Sequence, residues 1–146
     1  MAGAGGEGIG ARPVDGFIRE IKLVSGARRR LERHFHDEYS LAFLHLGRGR
    51  ARAWGRELPV EGGDLVLIPP RFPHACNPEE GSPWAYSLFA LAPGWVERAA
   101  GWDGPPAGIL RVPAASSHGW NQPRIAELKG DRAAMEALAR DAVSAI

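Results

Sequence analysis

The chain has 146 residues, a net charge of +1 and an ordinary soluble balance of 45% hydrophobic and 24% charged residues. It is one domain's worth of sequence, and the near-neutral charge gives no argument for a nucleic-acid or strongly acidic partner. A single cysteine, Cys76, excludes an intrachain disulfide, and no apolar run approaches membrane-spanning length.

Five glycines in the first ten residues, without the basic start and apolar block of a signal peptide, predict a flexible leader over 1–13 and a cytoplasmic protein. A count of 19 glycines and 12 prolines favours many short strands joined by turns. Phe17 to Val24 is rich in β-branched and aromatic residues and predicts the first strand. Ser25-Gly26-Ala27 turns the chain, and Arg28-Arg29-Arg30 predicts an exposed basic loop. His34 to Leu46 is the longest strand-like stretch. Arg50 to Trp54 and Glu57 to Val60 predict a hairpin around Gly55-Arg56. Asp64 to Ile68 is a short apolar strand stopped by Pro69-Pro70. Pro73 to Asn77 and Trp84 to Leu91 are the next strands, and Pro93-Gly94 closes the second.

Beyond Pro93 the pattern changes. Trp95 to Ala100 predicts a helical turn and Ile109 to Val112 a last strand. Pro123 to Lys129 predicts a short helix followed by Gly130. Asp131 then caps a second helix that reaches Ile146. On that helix Met135, Leu138, Ala142 and Ile146 form one apolar stripe.

The chemistry concentrates in histidines. On a regular strand His34, His36, Glu38 and Ser40 share a face, with His34 and His36 about 6.6 Å apart. Two imidazoles at that separation can lean onto one ion, and His74, on a later strand, would supply a third ligand. The candidate metal set is therefore His34, His36, Glu38 and His74, with a divalent ion such as zinc and a water or carboxylate completing the shell. The alternative is a set of polar pocket groups that hydrogen-bond a ligand. Trp54, Trp84 and Tyr86 are either pocket walls or barrel core, and Trp54 and Tyr86 join the candidate ligand-binding set. His45 and His118 stand apart from the cluster. Cys76 shares the face of His74 and reads as a buried, inert thiol.

These residues resemble the two cupin motifs. Gly26, His34-Phe35-His36 and Gly47 match the first. Gly63, Pro69, His74 and Asn77 match the second. The glutamate of the first motif belongs four or five positions after the second histidine, where this chain has Ser40 and Leu41. Over residues 30–100 the chain is more closely similar to the sensor domain of AraC-family transcription regulators, in His34-Phe35-His36-Asp37-Glu38-Tyr39, in Gly63 to Pro70 followed by Pro73-His74, and in Ala90 to Val96. That resemblance implies an all-β cupin barrel, a double-stranded β-helix or jelly roll, over 14–113. It implies a small-molecule effector in the barrel and a helical segment over 114–146 that pairs two subunits. DNA would be reached only through a C-terminal helix-turn-helix domain that lies outside this sequence. The expected function is ligand sensing without catalysis. The alternative is a small metal-dependent cupin enzyme, a dioxygenase or isomerase.

Overall fold

The computed structural model describes residues 16–26, 31–53, 55–113 and 131–146, and the backbone of 8–13. Its elements in chain order are β1 (Gly8–Pro13), β2 (Ile18–Ser25), β3 (Tyr39–Leu46), β4 (Arg48–Ala53), β5 (Arg56–Glu61), β6 (Leu65–Ile68), β7 (Ala75–Pro78), β8 (Ala85–Leu91), α1 (Pro93–Ala100), β9 (Leu110–Val112) and α2 (Arg132–Ala145). The leader expected over 1–13 gives way to β1, which pairs antiparallel with β2 from Gly8↔Ser25 to Pro13↔Glu20. The short helix expected at Pro123–Lys129, the arginine triplet, Trp54 and His118 lie outside the described residues.

Two antiparallel sheets face each other. The larger has the order β1-β2-β8-β3-β6-β9 and the smaller β5-β4-β7. This is the jelly-roll architecture that the cupin resemblance implies. The central strand β3, Tyr-Ser-Leu-Ala-Phe-Leu-His-Leu, is buried through its first six residues. Both faces of the large sheet are covered, which explains the near-continuous apolar run.

The two faces serve different purposes. Leu41, Phe43, Leu65, Leu67, Phe89 and Leu91 point away from the small sheet and form one core cluster. Helix α2 covers that face with Met135, Ala139, Ala142 and Val143, while Leu138 and Ile146 pack at its margin. The side chain of Asp131 accepts from the backbone N–H of Ala134 and caps the helix as expected. Of the stripe Met135, Leu138, Ala142 and Ile146, expected to be covered by the barrel on one side and by a second subunit on the other, Met135 and Ala142 are buried on the chain's own sheet while Leu138 and Ile146 stay half-buried. An apolar sheet face of this size needs a cover, and α2 supplies it from within. Helix α1 is tied to the same face by the Tyr39 hydroxyl, which donates to Glu97 at 2.9 Å. Phe17 and Trp95 stack at 3.7 Å beneath the guanidinium of Arg140, so the entry to β2, α1 and α2 meet at one point.

The opposite face looks into the barrel. There Ala42, Leu44, Val66, Ile68 and Trp84 form a second buried cluster with Val60 of the small sheet. Strand β4 turns Gly49, Ala51 and Ala53 inward and Arg48, Arg50 and Arg52 outward. Gly49 is required by packing. A Cβ there would sit 2.7 Å from the Trp84 ring and collide with the Asn77 carbonyl. At the base of the barrel, fully buried Asp64 accepts from Arg111 and from the Glu61 backbone, both at 2.8 Å, which fastens β9 to β6.

Candidate functional site

The barrel interior holds a cavity of about 280 Å3, walled by β2, β3, β6 and β8 and closed on one side by the segment around 31–36. Its polar groups gather together: Lys22, His34, His36 and His74. Apolar surface from Leu44, Val66, Ile68, Trp84 and Leu88 makes up the rest, with Tyr86 and Cys76 among the lining groups. A few convergent polar groups in an otherwise apolar hollow is the usual form of a small-molecule site.

Each histidine is placed by backbone pairing. After β6, Pro69-Pro70 ends the strand and Arg71 takes a left-handed conformation at φ 58°. The chain then turns back, and His74 forms a single antiparallel bridge with His34. The two residues exchange N–H···O bonds of 2.9 Å in both directions. Arg71 adds a third clasp by donating its N–H to the carbonyl of His36 at 2.6 Å. The strand expected from His34 therefore begins only at Tyr39. Residues 31–38 run as a strap whose hydrogen bonds go to the 71–77 segment instead of a continuous ladder. The strand alternation used to group His34, His36 and Glu38 does not operate there, yet the two histidines still converge.

The rings of His34 and His36 meet edge-on at 4.9 Å, and His74 lies 4.6 and 5.5 Å from them. One ring nitrogen from each lies within 4.8 Å of the others. The tautomers of two rings are fixed by their neighbours. Nδ1 of His34 lies 2.7 Å from the Glu32 carbonyl, and Nδ1 of His74 lies 2.7 Å from the Phe72 carbonyl. A carbonyl only accepts, so both Nδ1 atoms carry the proton and both Nε2 atoms keep a lone pair. Burial, reinforced by His34 and His36, pushes the His74 pKa down to about 4 against the opposing pull of the Phe72 carbonyl. Burial, then the charges of His34 and Lys22, lowers that of His36. Both shifts favour the neutral, lone-pair-bearing form of His36 and His74.

This donor set fits a divalent metal. Zinc bonds of about 2.1 Å in a tetrahedral shell place nitrogens roughly 3.4 Å apart, so the rings need close by only ~1.4 Å. Backbone carbonyls holding the distal ring nitrogens are the usual outer support of a metal-bound histidine. The candidate carboxylate, Glu38, does not join the three rings; its side chain lies 4.0 Å from Arg19. Tyr86 lines the cavity as expected, and Trp84 lines it too. Cys76 also borders it, and burial raises its thiol to about 12, which keeps it protonated. His45 sits on the other face of the large sheet, where Nε2 meets the Ser87 hydroxyl at 2.7 Å.

Lys22 escapes the motif-based reading, and Asn77, matched only to a motif, has a role that the motif did not state. Lys22 reaches the cavity from β2, opposite Leu88 of β8, and only the alternation of β2 could have announced it. The buried Asn77 amide accepts from the Leu31 N–H at 2.6 Å and donates to the Leu31 carbonyl at 3.1 Å, pinning the start of the strap. A larger cavity of about 460 Å3 lies beneath Ala51, Ala53, Leu58 and Ile109, but none of the described histidines lines it and its Glu57 pairs with Arg50 and Arg52.

Comparison with known proteins agrees with this architecture. The chain is 30% identical over 80 residues to an uncharacterized HTH-type transcriptional regulator, YbfI, of Bacillus subtilis; the match takes in 55% of this chain and 29% of the relative's length. Its fold is similar to that of ToxT K231A from Vibrio cholerae, with a TM-score of 0.55 at 8% identity over 91% of this chain and 55% of that one. It is also similar to NMB1881 from Neisseria meningitidis, with a TM-score of 0.51 at 17% identity over 62% of this chain and 90% of that one. Residues 23–142 match the AraC-like ligand binding domain, and the chain belongs to that family.

Proposed function

We propose that this domain senses a small molecule held in the histidine-lined cavity and acts as the effector-binding part of an AraC-family regulator in the cytoplasm. The observation that carries this is the clustering of Lys22 and three lone-pair-bearing imidazoles in an otherwise apolar hollow. A divalent metal such as zinc is part of the proposal. His34, His36 and His74 would hold it, and bound there it would supply a Lewis-acidic point for an oxygen of the effector. DNA contact belongs to the whole regulator, as in the HTH-type relative, and so does any pairing of copies.

A sensing role without catalysis is favoured by the site's chemistry. The thiol of Cys76 is held protonated, and the carboxylate nearest the cluster is engaged by Arg19. Communication with the rest of a regulator has a short route. Ala42 and Leu44 face the cavity, while Leu41 and Phe43 of the same strand support α2 on the other side. A ligand that shifts β3 therefore acts on the helix packing one strand away.

The test is a thermal-shift screen of sugars, amino acids and carboxylates against the wild-type domain and Ala42→Phe, which fills the cavity. Pocket ligands raise the Tm of the wild type only. Hits that persist equally in Ala42→Phe would contradict the site.

A further inference from the structure

We infer that the cavity selects a small apolar carboxylate, its anionic head bound between Lys22 and the three histidines and its tail against Leu44, Val66 and Trp84. The inference rests on the proposal that this cavity is the effector site, and adds the chemical class of the effector.

Charge is the first argument. Lys22 is set in the cavity wall, and among the described residues no carboxylate lines that cavity. Nor does any described carboxylate lie within ion-pair distance of Lys22; Glu38 is paired with Arg19. An ammonium facing a largely apolar hollow is stabilised by an anion that enters with the ligand. The second argument is the donor set. Nε2 of His34 and His74 presents lone pairs, so these rings accept from a donor on the ligand or bind a cation. A carboxylate meets both cases. As the neutral acid it donates to an imidazole; as the anion it completes the shell of a three-histidine metal that has no protein carboxylate of its own. Lys22 takes the second oxygen in either case.

Size and polarity set the tail. About 280 Å3 lies at the small end of ligand pockets, which run from about 300 to 1,000 Å3. Leu44, Val66, Ile68, Trp84 and Leu88 dominate the opposing walls, and Tyr86 and Cys76 beside them do not make a ring of hydrogen-bonding groups for a sugar's hydroxyls. A flat or short aliphatic tail fits those walls; a polyol would leave its hydroxyls unsatisfied.

The experiment compares isosteric pairs, benzoate with benzamide and hexanoate with hexanamide, by calorimetric titration with and without one equivalent of zinc. The acids are expected to bind at least tenfold more tightly than the amides. Lys22→Met should bring the acids down to the amide level, and Lys22→Arg should retain most of the preference; should Lys22→Met fail to fold, Lys22→Gln takes its place. Equal binding of acid and amide, no binding of either acid, or an acid preference intact in the Lys22 variant overturns the inference. The Ala42→Phe variant separates the two levels. Acid and amide that bind equally to the wild type and are both lost in Ala42→Phe leave the effector site standing while the carboxylate class falls. Acid binding unchanged in Ala42→Phe removes both.

Discussion

Acidification gives a sharp test of how deeply the histidines are set. The pKa of both His74 and His45 is pushed down to about 4 in the folded protein, chiefly by burial, from an ordinary 6.5. Between those values the unfolded chain holds more protons than the native one, so stability falls as the pH drops from 7 toward 4. Integrating the linkage from pH 7 to pH 5 gives a loss of about 2 kcal/mol for a group with such a shift. His74 is 4% exposed and takes the full figure, whereas His45 is less buried and takes nearer ~1 kcal/mol. The expected loss of about 3 kcal/mol is a large fraction of a typical domain's 5–15 kcal/mol. Urea unfolding in the presence of a chelator, followed by tryptophan fluorescence at pH 7 and pH 5, measures it. His45→Leu isolates one share. It costs about 1 kcal/mol at pH 7, because the buried Ser87 hydroxyl loses its 2.7 Å partner, but it flattens the acid dependence. A free energy of unfolding that is the same at both pH values would refute the neutral, buried state assigned to these rings.

Further outcomes follow from other contacts. Asn77→Ala removes both hydrogen bonds to Leu31 and should lower stability by about 1–2 kcal/mol; it should also weaken zinc binding by about tenfold or more, read by competition with a chromogenic chelator. Asp64→Ala leaves the partly exposed Arg111 guanidinium without its carboxylate and should cost about 3 kcal/mol in urea unfolding. Leu138→Asp places a charge against the sheet-facing core and should lower the Tm by several degrees in a protein whose sedimentation is unchanged. A dimer that dissociates with its fold intact would instead return the α2 stripe to a subunit interface.

Much of the architecture is legible in the sequence because turns are punctuated by glycine and proline. The strand expected at Glu57–Val60 is found at Arg56–Glu61, that at Trp84–Leu91 at Ala85–Leu91, and the Asp131 cap starts its helix as expected. The convergence of His34, His36 and His74 is foreshadowed by the resemblance to the two cupin motifs. What is not legible depends on partners distant in sequence. Residues 34–38 read as strand because their side chains alternate, but Asn77, His74 and Arg71 take up the backbone groups of the strap. Glu38 turns to Arg19, nineteen residues away, which no local pattern encodes. The α2 stripe shows that a helix must be covered, not by what. The glycine-rich start hides β1, whose pairing is supplied by its partner β2.

The most direct test of the account is the nitrogen-15 NMR of the imidazoles during a zinc titration. His34 and His74 are expected as Nδ1–H tautomers before zinc is added, with the ring signals of His34, His36 and His74 shifting together and saturating at one equivalent while His45 stays fixed. Protonated Nε2 on His74, or three rings that respond to zinc independently, would contradict a single receiving site in the barrel.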